Sequence, residues 1–191
     1  MIYIGLNFFL FCVLLWFSHY VDVRSSSAKV KQLSVPILIL TVSVVMAILC
    51  IAFSLYGNNQ IAGLCGKLHT FMIGILSVFL VSYVCRFPKF APSKFNNILV
   101  IALCIVCFFT SFIKIESLVI NPNTGLEAVS EKFLNTNLTW HEAHQILFQA
   151  FLPALAVIVS LIKAIFIRLK LTRQQSLFLG AAVIAGWLMI Y

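Results

Sequence analysis

Four histidines, five carboxylates and six cysteines hold most of the chemistry this chain could perform. His141 and His144 are three apart, so a helical turn puts them on one face, with Glu142 between them. His69 and Glu116 belong to neighbouring outer segments. His69, Glu116, His141, Glu142 and His144 therefore form the candidate ligand-binding set, lying on the external face. A divalent metal would need three or four such groups to converge, and H-x-x-H at a membrane boundary reads instead as interfacial hydrogen bonding, so no metal is assigned. Because histidine titrates near neutrality, the same set could also respond to pH. A transmembrane haem would need histidines deep in the bundle, and His19, His69, His141 and His144 all read as near helix ends. No cofactor is expected.

Catalytic patterns are absent from the sequence. There is no G-x-S-x-G, His141-Glu-Ala-His144 lacks the H-E-x-x-H spacing, and no phosphatase-type cluster of Arg, Ser and His occurs. The chain is read as non-enzymatic, with no catalytic residues. Cys104 and Cys107 form a C-x-x-C inside an apolar run, a setting for small-hydrophobe packing rather than for zinc or redox work. Cys65 reads as a loop residue, and a Cys50–Cys65 disulfide at the outer surface stays open. Lys163 is the only charge well within an apolar segment, and it is expected to snorkel to the nearby interface.

These residues are positioned by hydrophobic helices. The chain is 62% hydrophobic and 9% charged, against roughly 25% charged in a soluble domain. One soluble core of this length could not hide so much apolar surface. Six segments approach the roughly 20 apolar residues that a crossing needs: 2–18, 36–55, 68–85, 97–113, 146–167 and 176–191. The expected fold is all-α, a single polytopic membrane domain (1–191) with a six-helix bundle. Pro36 opens the second helix, and Pro153 is expected to kink the fifth. Trp16, Tyr20, Tyr56, Tyr83 and Trp140 occupy aromatic-belt positions.

Basic residues alternate from loop to loop. Arg24, Lys29 and Lys31 mark the first loop, Arg86, Lys89 and Lys94 the third, and Arg168, Lys170 and Arg173 the fifth. The second loop has Lys67 alone, while in the fourth Lys114 and Lys132 are offset by four glutamates. Odd loops are therefore cytoplasmic and both termini external, in a cell membrane such as the bacterial inner membrane. The net charge of +8 sits beside apolar ends, which fits anionic lipid and not nucleic acid. The first segment has no basic start and no A-x-A site, so it reads as an anchor and not a cleaved signal peptide.

The long fourth loop, 114–145, carries two S/T-x-x-E patterns. Thr124-Gly-Leu-Glu127, followed by Leu126, Val129, Phe133 and Leu134, predicts a short amphipathic helix on the outer interface. Thr139-Trp-His-Glu142 predicts the start of the fifth membrane helix.

Two stretches resemble a known family. Phe71 to Pro88, ending Tyr-Val-Cys-Arg-Phe-Pro, is similar to the third helix of the seven-helix membrane sensor region that precedes bacterial histidine kinases and diguanylate cyclases. Arg168-Leu-Lys-Leu-Thr-Arg-Gln-Gln-Ser-Leu-Phe-Leu-Gly180, leading to Trp187-Leu-Met-Ile-Tyr191, is similar to its basic turn and sixth helix. The resemblance implies a form truncated after helix six, with a seventh crossing and a cytoplasmic output domain or partner protein beyond it. It transfers no functional residue.

The expected function is a sensory or signalling input module responding at its external face. A small-solute transporter or a membrane subunit of a transport complex is the alternative, and an assembly partner in a larger membrane complex is a third. A cysteine introduced near Lys89 should label from the cytoplasmic side; labelling from outside would reverse the orientation.

Overall fold

The structure is a computed structural model and describes residues 2–24, 34–87, 93–121, 125–167 and 170–190. Helices cover all six apolar segments: α1 (Ile2–Arg24), α2 (Ser34–Leu55), α3 (Asn59–Arg86), α4 (Lys94–Phe108), α5 (Trp140–Phe166) and α6 (Lys170–Ile190). Two of them contain wide turns. α4 continues as a π-helix over Phe109–Ile113, and α5 is π-helical over Gln145–Phe151, ahead of Pro153. Four described helices are long and apolar enough to cross a membrane: Ser34–Leu55, Asn59–Arg86, Lys94–Ile113 and Trp140–Phe166.

Burial is inverted relative to a water-soluble bundle. Ser43, Ser111 and Ser160 are wholly buried, while Ile98, Ile101, Ile105 and Phe166 point outward. Polar groups inside and aliphatic ones outside suit a lipid surrounding. The bundle is built on α3, against which α2, α4 and α5 pack. The core joins Val78, Val81 and Val84 of α3 to Cys107 of α4, Phe148, Leu152 and Ala156 of α5, and Val183 of α6. α1 packs on α2, and α6 on α5. The α5–α6 crossing is made by small residues: Ser176 Oγ donates to the Ser160 carbonyl (2.9 Å), and a Cβ at Gly180 would sit 3.0 Å from Ser160 Oγ.

Local capping explains several boundaries. Gly57 takes φ +75°, a left-handed turn open to glycine. Asn58 then caps α3 by accepting from the Ile61 N–H (3.3 Å). The second loop is thus only the turn around Gly57, and α3 starts at Asn59 rather than Leu68. Cys65, expected in a loop, lies inside α3 and is buried; Cys50 and Cys65 are both free thiols. Ser93 caps α4. The second capping box is formed in full: the Thr139 N–H donates to Glu142 Oε2 (2.7 Å), and the Glu142 N–H donates to Thr139 Oγ1 (3.2 Å).

The first capping pattern does not form a helix. Gly125–Ser130 is a strand, β2, antiparallel to β1 (Ile115–Asn121), with Leu118 opposite Ala128 and a bulge between Ile115 and Ser117. Thr124 lies outside the described residues. The correction has a physical basis: Ile115, Val119 and Ile120 are β-branched, and Asn121-Pro-Asn-Thr-Gly125 is rich in turn formers. A paired strand supplies backbone partners that a lone capping box does not.

The hairpin is seated on α3 through close approach. Leu118 is fully buried; a Cβ at Gly66 would lie 3.1 Å from the Leu118 Cβ, and one at Gly63 would lie 3.3 Å from the Leu118 carbonyl oxygen. The far end of β2 meets α5, where the Trp140 N–H donates to the Glu131 carbonyl (3.0 Å) and the His141 N–H to Ser130 Oγ (3.2 Å). Two first-turn amides that α5 cannot satisfy itself are thereby paired. Leu118→Ala should destabilise the protein by about 2–5 kcal/mol. Gly66→Ala should cost about 1–3 kcal/mol by overpacking against the Leu118 Cβ, as read, like the Leu118→Ala loss, by thermal unfolding in detergent.

Candidate functional site: a buried polar junction under the hairpin

Where α3, α4 and α5 meet below the hairpin, polar side chains collect. His144, the last residue before the π-helical stretch of α5, is 1% exposed. Its Nδ1 lies 2.8 Å from Thr110 Oγ1, inside the π turn of α4. Thr110 Oγ1 also reaches the carbonyls of Val106 (2.9 Å) and Cys107 (3.2 Å). One hydroxyl proton thus serves either its own helix or the imidazole. If it stays on α4, His144 Nδ1–H is the donor and Nε2 carries a lone pair. If it goes to Nδ1, the imidazole proton sits on Nε2. The Thr70 backbone is a further polar neighbour of the imidazole, and the buried Nε2 completes no hydrogen bond among the described residues.

Gly74 of α3 makes room for this arrangement. A Cβ there would collide with Cys107 Sγ and lie 3.3 Å from His144 Cε1. Cys107 Sγ donates to the Phe71 carbonyl (3.6 Å), tying α4 to α3. Ser111 Oγ, wholly buried, has the Cys107 thiol as its polar neighbour. The Phe148 ring lies 4.8 Å from that of His144. One turn earlier, His141 Nε2 accepts from Gln145 Nε2 (3.1 Å), and its buried Nδ1 has no partner among the described residues. Over the junction, Trp140 meets Phe133 edge-on at 4.7 Å, and Lys114 Nζ stands 5.3 Å from the Trp140 ring and 3.6 Å from Glu131 Oε2.

No protein-family model, curated protein or solved structure matches this chain.

The five expected ligand residues separate into three places. His141 and His144 share the junction, deeper than their position at a helix start suggests. His69 points to α2, its Nδ1 2.9 Å from both Ser43 Oγ and the Ser43 carbonyl. Glu116 on β1 and Glu142 are exposed, Glu142 committed to its cap. Among the described residues, no three His, Cys, Asp or Glu side chains are placed to hold a metal ion. The sequence pattern did not single out Gly74, Thr110 or Ser111, while Cys107 takes the packing role expected of it. A polar Thr-Ser pair and a glycine inside apolar runs were their only signals.

The opposite end of α5 is also fastened to α3. Lys163 Nζ donates to the carbonyls of Val84 (2.7 Å), Cys85 (2.6 Å) and Phe87 (2.6 Å). An ammonium has three donors, and all three go to carbonyls that the end of α3 leaves open. Lys163 thereby caps a neighbouring helix at the end toward which it was expected to extend. Among the other basic residues, Arg24 ends α1, Arg86 ends α3, Lys94 opens α4, and Lys170 and Arg173 lie in the first turn of α6. Lys29, Lys31, Lys89 and Arg168 lie outside the described residues.

Gly74→Ala should cost about 1–3 kcal/mol by overpacking against Cys107. Pairing it with Cys107→Ala should recover most of that loss in unfolding measurements, whereas Cys107→Ala alone should not raise stability.

Proposed function

We propose that this chain is a non-enzymatic sensory input module that crosses the membrane six times, with the hairpin outside and the Lys163 end in the cytoplasm. The alternation of basic loops supports that orientation, and α1 and α6, with 23 and 21 residues, supply the two further crossings. The observation that carries the reading is the His144–Thr110 contact, which lies within or beside a π-helical turn on each of its two helices. π turns recur at functional sites because the extra residue in the turn can be taken up or released. Relaxing Gln145–Phe151 to α spacing would advance His144 by one residue relative to the rest of α5. The hairpin rests on the first turn of that same helix, and Lys163 near its far end holds α3. A change at the hairpin thus has a covalent route to the cytoplasmic face, on the scale of small helix shifts that switch other bundles. The resemblance of Phe71 to Pro88 and of Arg168 to Tyr191 to seven-helix sensor regions is a second support for this reading and assigns no residue a role.

Cys85 is an exposed thiol beside the Lys163 contact and reports on it directly. In oriented proteoliposomes of a Cys12→Ser background, unseating the hairpin with Leu118→Ala should change Cys85 labelling by about fivefold or more. His144→Phe should change it as well. Unchanged labelling together with solute accumulation in the vesicles would instead establish transport.

A further inference from the structure

At the basic end of the bundle, α2 and α4 leave a half-enclosed crevice of about 200 Å³ beside α3. Pro36 of α2, Phe79 of α3 and Val100 of α4 form its apolar walls; Ser82, Tyr83 and Arg86 of α3 form its polar side. The Arg86 guanidinium is held by neutral groups. Its Nη2 donates to Asn97 Oδ1, and the Asn96 amide, turned with its oxygen inward, accepts from Nη2 (3.0 Å), from Nε (2.9 Å) and from Ser82 Oγ (2.9 Å). Nη1 takes part in none of these bonds. No Asp or Glu occurs anywhere in α2, α3 or α4, so the helices lining the crevice offer this cation no carboxylate. Lys94, exposed at the start of α4, adds a second cation, while the Lys163 ammonium is already spent on the α3 carbonyls.

We propose that the crevice holds one anionic phospholipid, its phosphate on the Arg86 guanidinium and one acyl chain along Phe79, Val100 and Pro36. A fixed guanidinium with free donors recognises a phosphate oxygen through charge-assisted hydrogen bonds. An apolar slot beside it selects an amphiphile over a free ion. An open crevice between membrane helices also forfeits its contacts unless an acyl chain fills it. The position suits the ligand, since Arg86 closes α3 at the boundary where headgroups lie, on the face that basic residues assign to the anionic leaflet.

The test is native mass spectrometry of the full chain in a neutral detergent, titrated with phosphatidylglycerol, with phosphatidylcholine of the same acyl chains, and with inorganic phosphate. One phosphatidylglycerol per chain should be retained about tenfold more tightly than phosphatidylcholine, whose phosphate can accept the same bond but whose choline cation meets Arg86 and Lys94 with like charge. Arg86→Gln should remove that preference, and Val100→Trp, which fills the slot, should weaken both lipids. The wild-type comparison needs no substitution, so it decides even if a variant fails to fold. Equal retention of the two lipids, or displacement of phosphatidylglycerol by millimolar phosphate, would overturn the proposal.

Discussion

A polar side chain inside an apolar bundle has no water to turn to, so its partner must come from a neighbouring helix. His144 meets that constraint through Thr110, and much of the hairpin half of the molecule is arranged around the pair. α3 contributes a glycine at position 74, because a side chain there would occupy the space of Cys107 and press on the imidazole. α4 and α5 both widen to π spacing next to the contact. The hairpin and Trp140 close the junction from above. His69 repeats the logic on the other side of α3, where its partner is Ser43 of α2.

α5 is the helix to which both ends of the molecule are tied. Its first turn gives amides to β2 and an imidazole to α4, while its last turn gives an ammonium to the open carbonyls of α3. Between these two points it crosses α6 on small residues, with Ala156, Ser160 and Ala164 buried and Gly180 against Ser160. Small residues let the two backbones approach closely, and the Ser176 Oγ bond to the Ser160 carbonyl adds to that packing.

The helical framework was legible because apolar runs of membrane length, Pro36 and the Thr139 capping box are local signals. Three features were not, each for a reason visible in its residues. Gly63 and Gly66 look like loop residues, yet their lack of side chain is what lets Leu118 approach, and that demand comes from a strand some fifty residues later. Thr124-Gly-Leu-Glu127 satisfies a helix-start pattern, but the β-branched run at Ile115–Ile120 offers pairing that a single-segment reading cannot see. His141 and His144 stand at a helix start and so read as interfacial. Their burial follows from the hairpin and Phe148 covering them, a tertiary effect. The candidate site was therefore half visible: its histidines could be named, its depth and its partners on α3 and α4 could not.

The central claim is that His144 and Thr110 form one interacting unit joining α5 to α4. A double-mutant cycle with His144→Ala and Thr110→Val, read by reversible unfolding in bicelles, measures that interaction directly. The account predicts a coupling of about 1 kcal/mol, within the range of interhelical hydrogen bonds in membranes. Single-variant losses that add to within about 0.3 kcal/mol would contradict it.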